Sequence, residues 1–145
     1  MSGFLLDTNV LSELRKESRC DPGVRDWIEH TVGEELFVSV MVLGEIRRGI
    51  ERIRIRDKSQ ARALEKWLRS LTTEFADRTL PVDERVADQW GRLGLQQPVP
   101  LLDAFLAATA LVHDLSVVSR DEGGFTNTGV RLINPFSRDG RRPIP

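Results

Sequence analysis

Four acidic residues, Asp7, Glu45, Asp103 and Asp121, stand in stretches otherwise built for burial. Asp7 ends a short apolar run over residues 3–6. Asp121 follows a second such run, residues 115–119, by two positions. Asp103 sits near the start of the segment LLDAFLAATALV, residues 101–112, whose aliphatic and small side chains run nearly all round a helix. At helical spacing Leu106, Ala107 and Ala110 share its face. Glu45 has Met41, Val42 and Gly49 three or four residues away, which turns it inward or into a cleft. A carboxylate is rarely buried unless something compensates its charge. Several carboxylates within a few ångströms of each other do not all stay ionised without a cation. Oxygen ligands with no accompanying histidine or cysteine select Mg²⁺ or Mn²⁺ over Zn²⁺. Such a site suits metal-assisted phosphodiester hydrolysis, in which the ion polarises phosphoryl oxygens and activates water.

Three of these acids also have a plainer reading, Glu45 as the usual solvated glutamate of a helix. Asp7-Thr8-Asn9 is a run of helix-capping types, any one of which would serve as a cap. Asp103 in a first turn is favoured by the helix dipole. His30 and His113 have no ligand-spaced partners. No GxxxxGK[ST] loop, GxGxxG turn or GxSxG elbow is present, which removes the common phosphate-cradling and nucleophile-elbow chemistries.

The acids need elements that bring them together, and the pattern supplies them. Residues 3–6 read as a buried strand, followed by a helix with Val10, Leu11 and Leu14, capped by Thr8 or Asn9. Asp21-Pro22 opens a second helix. Residues 36–40 read as strand two, with Ser39 capping a helix that runs to about residue 55. Arg47, Arg48, Arg52, Arg54 and Arg56 crowd its later half, either as a solvated face or as phosphate or partner contacts. Residues 58–75 form an amphipathic helix, residues 78–82 a third strand, and Asp83 caps the next helix. After the central helix come strands at 115–119 and 130–133. Strands alternating with helices predict an α/β chain: a three-layer fold with a central, mostly parallel sheet flanked by helices. In such sheets ligands bind beyond the carboxyl ends of the strands, where Asp7 and Asp121 fall.

Composition bounds the rest. The 145 residues suit one domain over residues 1–136 with a flexible tail at 137–145. A net charge of -1 gives no bulk attraction to nucleic acid or membrane, so any such binding is local. The single Cys20 excludes an internal disulfide and a cysteine metal cluster. No apolar run approaches the ~18 residues of a spanning helix, and the first residues lack signal-peptide order. The expected location is the cytoplasm.

Five segments, in order, carry a resemblance: LLDTNVLSEL at residues 5–14, SVMVLGEIRRGIERI at 39–53, LPVD to Trp90 at 80–90, DAFLAATALVHDLSVVSRD at 103–121, and GVRLINPF at 129–136. Together they resemble PIN-domain ribonucleases, specifically VapC-type toxins of bacterial type II toxin–antitoxin systems in the FitB-like branch. The resemblance implies a PIN-like fold and a Mg²⁺-dependent endoribonuclease, Mn²⁺ serving as a substitute. It implies metal ligation by Asp7, Glu45 and Asp103. Where the family commonly reads T-R-[ND]-x-x-D-F, this chain has Ser119-Arg120-Asp121-Glu122-Gly123-Gly124-Phe125. The acid before the Phe is replaced by Gly124, and the fourth ligand role passes to Asp121, with Glu122 beside it. Thr8, Asn9 and Ser119 are the candidate hydrogen-bond partners of the ligands. Arg47, Arg48 and Arg120 are the candidate contacts to RNA or antitoxin. The resemblance further implies a cognate VapB-like antitoxin, docked in an apolar groove with a basic rim, and a homodimer. The surface expected to serve dimerisation is Trp67, Leu68, Leu71 and Phe75. The competing reading is a catalytically silent PIN fold kept as a binding module or repressor subunit.

Overall fold

Leu5 and Leu6, fully buried, lie in β1 (Phe4–Leu6), the middle strand of a five-stranded sheet in the computed structural model, which describes residues 3–137. The other strands are β2 (Leu36–Ser39), β3 (Thr79–Leu80), β4 (Ser116–Val118) and β5 (Leu132–Ile133). Their order is β3-β2-β1-β4-β5, and every neighbouring pair is parallel. Short apolar runs with no polar alternation are what a strand covered on both faces requires. Helices α1 (Thr8–Leu14), α2 (Pro22–Glu29), α3 (Val40–Arg54), α4 (Lys58–Glu74), α5 (Glu84–Gly91) and α6 (Leu101–His113) flank the sheet. The expected α/β fold with a parallel sheet is what forms.

Caps set the helix starts. Ser39 ends β2 and caps α3 by accepting from Met41 N at 3.0 Å, so Val40 belongs to the helix rather than the strand. Asp21 caps α2 through Gly23 N and Val24 N at 2.9 and 3.1 Å. α1 is capped by Asp7, whose Oδ1 accepts from Thr8 N at 2.7 Å, and not by Thr8 or Asn9. The third strand is shorter than expected, because Pro81 has no N–H to continue the ladder.

α6 is the central helix. Seven of its residues, Asp103, Ala104, Leu106, Ala107, Ala108, Thr109 and Ala110, are buried. α3 packs along α4, and α5 along α6. The α4 stripe is consumed by this packing: Leu68, Leu71 and Phe75 are buried in the core, and Trp67 is half-buried beneath Arg15. The surface expected to serve dimerisation is therefore not available. Exposed apolar side chains among the described residues are scattered instead, at Val32, Val40, Ile55, Leu95, Trp90, Leu101 and Leu111.

Ser137, assigned to the tail by sequence, is buried. Its N–H donates to Asp21 Oδ2 at 3.0 Å and its hydroxyl to Asp21 Oδ1. A Cβ at Gly23 would stand 2.3 Å from Pro135 O, so the glycine admits this clasp. Residues 138–145, the remainder of the predicted tail, lie outside the described residues.

Candidate metal centre

Parallel pairing fixes the first side of the site. β1 and β4 are neighbours in register, Leu6 opposite Val118, and Asp7 N donates to Val118 O at 3.0 Å. Asp7 and Ser119 are thus carried side by side to the carboxyl edge of the sheet. Ser119 Oγ donates to Asp7 Oδ2 at 2.7 Å, while accepting from Asn9 Nδ2 at 3.2 Å and Asp121 N at 2.9 Å. Asn9 Oδ1 in turn accepts from Arg120 N at 3.1 Å. One capped helix start and one strand end are laced together by Asn9 and Ser119. Asp7 is buried, and burial raises its pKa; the bonds from Ser119 and Thr8 oppose that rise, and the charges of Glu45 and Asp121 add to it.

α6 brings the second side. Its N-cap position is Pro100, which offers no side-chain cap, so the first-turn N–H groups lack that partner. Asp103 occupies that turn and is buried. Its pKa is pushed up to about 7, first by burial, then by a hydrogen bond with the Asp121 carboxyl, then by the charges of Asp121, Asp7 and Glu45. The helix dipole favours the ionised form here, yet burial, with the neighbouring acids, prevails. Asp121 is exposed, and its Oδ1 accepts from Gly124 N at 3.0 Å.

Glu45, on α3, is also exposed and faces the cleft, where its Oε1 accepts the Thr8 hydroxyl. Among the described residues, no three acid, histidine or cysteine side chains stand as a finished ligand set. The acids are instead engaged locally: Asp103 with Asp121, Asp7 with Ser119 and Thr8, Glu45 with Thr8. The donor chemistry nevertheless fits a hard divalent cation: all four candidate ligands are carboxylates, and burial together with their proximity raises the Asp103 pKa.

The remaining predicted residues divide. Arg120 is exposed, its guanidinium 4.2 Å from the Phe136 ring centroid. Arg48 is exposed. Arg47 is committed to α4, pairing with Glu65 at 2.7 Å and Glu51 at 3.1 Å. Glu122 accepts from Asn134 Nδ2 at 2.7 Å, at the start of the C-terminal segment. His30 is exposed and paired with Asp26. Sequence reasoning missed Arg15, which lines the groove beside Glu45 together with Thr8, Ser12 and Trp67. Thr8, Ser12 and Arg15 recur at i, i+4 and i+7, the spacing of one helix face, and that was the available signal.

Comparison with known proteins agrees with this fold. The PIN domain family matches residues 4–130. Over 139 residues the chain is 32% identical to Toxin FitB of Neisseria gonorrhoeae, covering 92% of this chain and 98% of that protein. It is 32% identical over 138 residues to the VapC ribonuclease Y4jK of Sinorhizobium fredii, covering 92% and 97%. A solved structure of FitAB bound to an IR36 DNA fragment superposes with a TM-score of 0.79 at 29% identity, covering 91% of this chain and 94% of that one. With its parallel sheet, its edge of paired carboxylates and these matches along nearly its whole length, the chain belongs to the PIN domain family.

Proposed function

We propose that this chain is an endoribonuclease toxin of a type II toxin–antitoxin module, a hydrolase that cleaves RNA phosphodiesters and is neutralised by a cognate VapB-like antitoxin. PIN-domain ribonucleases generally depend on a divalent metal; here Mg²⁺ is the proposed ion, with Mn²⁺ as a substitute. The observation that carries the reading is Asp103. Buried at the sheet edge, its carboxyl meets that of Asp121 with Asp7 and Glu45 close by, and such a gathering of acids suits a divalent cation. Asp7, Glu45, Asp103 and Asp121 would hold the ion, which when bound supplies Lewis-acid polarisation of the phosphoryl group and a more acidic water. The chain's own residues do the rest. Ser119 fixes one Asp7 oxygen and Thr8 N the other. Asn9 fixes Ser119, and the Thr8 hydroxyl fixes Glu45. Burial and the neighbouring acids raise the Asp103 pKa to about 7 and so disfavour its charged form, which a bound cation would favour. Arg120, exposed and tied to this edge through its N–H to Asn9, is a candidate cation for an RNA phosphate.

The antitoxin segment is placed in the groove that α1, α3 and α4 form beside Glu45, lined by Ser12, Arg15, Ile53, Gln60, Leu64 and Trp67. That groove is mixed rather than apolar, with Ile53, Leu64 and Trp67 beside Ser12, Gln60 and Arg15, a lining open to a helix or extended segment. A homodimer is proposed from the family resemblance. Among the described residues no helix is long and apolar enough to cross a membrane, and we place the protein in the cytoplasm with its RNA and antitoxin. The test is cleavage of total RNA by the purified chain with Mg²⁺, with mapped product ends. Cleavage that stops with chelator and with added antitoxin is the expected result; cleavage indifferent to chelator overturns the metal reading.

A further inference from the structure

We infer that Gly124 is a positioning residue of the acid centre, because its missing side chain is what lets the Asp103 and Asp121 carboxylates meet. The inference rests on the divalent-metal reading above. The usual reason for a glycine is a positive φ, as at Gly94 (+71°) and Gly129 (+81°). Gly124 has no such φ; it lies in a short 3-10 turn, Gly123–Phe125, anchored by buried Phe125. The backbone there accepts any residue. The space does not. A Cβ at position 124 would stand 2.0 Å from Asp103 Oδ2, 2.4 Å from Asp121 Oδ2 and 3.0 Å from Asp103 Cγ. These fall short of the ~3.5 Å of ordinary van der Waals contact.

The atoms in the way are the working ends of two short side chains and not backbone. They swing aside at little cost to the fold, and what is lost is their position. Gly124 N meanwhile donates to Asp121 Oδ1 at 3.0 Å, so the same residue holds the carboxylate that its Cβ would expel. An acid restored at this position, where the family commonly has one, would collide with the two carboxylates already using the space. Gly124→Asp is therefore expected to damage the centre and not to improve it. Gly123, one residue earlier in the same turn, supplies a matched control, since a Cβ there meets nothing within 4 Å.

The experiment titrates Mn²⁺ into the metal-free full chain by calorimetry and measures its melting temperature without metal. Native protein and Gly123→Ala should bind alike. Gly124→Ala and Gly124→Asp should bind about tenfold more weakly or worse, while metal-free Gly124→Ala melts close to Gly123→Ala. Native-like Mn²⁺ affinity in Gly124→Ala overturns the inference alone. So does equal loss in Gly123→Ala, tighter binding by Gly124→Asp, or a Gly124→Ala chain that does not fold. A native chain that binds no Mn²⁺ overturns the metal reading itself.

Discussion

Ser119, at the end of β4, donates its hydroxyl hydrogen to Asp7 Oδ2, at the end of β1, across 112 residues of sequence and 2.7 Å of space. Both residues are buried. The bond steadies the ionised form of a carboxylate that burial disfavours. Ser119→Ala should therefore raise the Asp7 pKa further. It should also lower the metal-free stability by about 1–3 kcal/mol, the cost of leaving a buried acceptor short of its partner. Thermal unfolding and Mn²⁺ titration against pH check both effects, and an unchanged melting temperature would contradict the loss of stability.

Asp7→Asn and Asp103→Asn should each reduce Mg²⁺-dependent RNA cleavage about a hundredfold or more and relieve growth arrest in a producing cell. Glu45→Gln should hurt comparably and Asp121→Asn less. Full activity of either of the first two variants sinks the ligand assignment.

The pH dependence of the metal-free protein follows from Asp103. Its folded pKa, about 7, lies above its ordinary value of 3.8, so between these values the folded state holds a proton that the unfolded state has lost. Stability from this group is present below that window and is lost as pH rises through it. Melting temperatures in chelator should fall across this range, and Asp103→Asn should flatten the slope. Divalent binding runs the opposite way, tightening as pH rises through about 7.

Added Mn²⁺ should stabilise the native chain by mass action, about 2.7 kcal/mol at a hundredfold excess over its dissociation constant. Asp103→Asn should lose most of that gain and, metal-free, melt no lower than the native chain treated alike. An ordinary helix-capping aspartate behaves in reverse: its loss lowers stability and metal is irrelevant. Differential scanning calorimetry with and without chelator separates the two.

The arginines should separate as their partners do. Arg47 is held between Glu51 and Glu65, so Arg47→Ala should leave the salt dependence of RNA binding unchanged. Arg120→Ala should reduce its slope by about one, the signature of a lost phosphate contact. Binding measured over a salt series to a non-cleaved RNA analogue decides this.

Much of this site was legible because strand ends are legible. The run ending at Leu6 and the run ending at Ser119 announce two buried parallel strands, and polar residues just beyond them fall at one sheet edge. The two readings of Asp7, cap or site residue, looked exclusive in sequence. In the structure one oxygen caps α1 and the other meets Ser119, because a carboxylate has two. What sequence did not disclose depends on packing between distant segments. The α4 stripe looked larger than a small core needs, yet Leu68, Leu71 and Phe75 are all taken into the buried core. Arg15 gained its place beside Glu45 only when α1 and α3 came together.

The sheet order also has a consequence in time. β1, made first, pairs with β2 and with β4, and β4 contributes Ser119. No fragment that ends before Ser119 contains the edge at which Asp7 and Ser119 meet. At a synthesis rate of roughly 5–20 residues per second, the 112 residues separating Asp7 from Ser119 impose a delay on the order of ten seconds. A nascent chain is harmless to RNA throughout that interval, and an antitoxin already present has the whole of it in which to arrive.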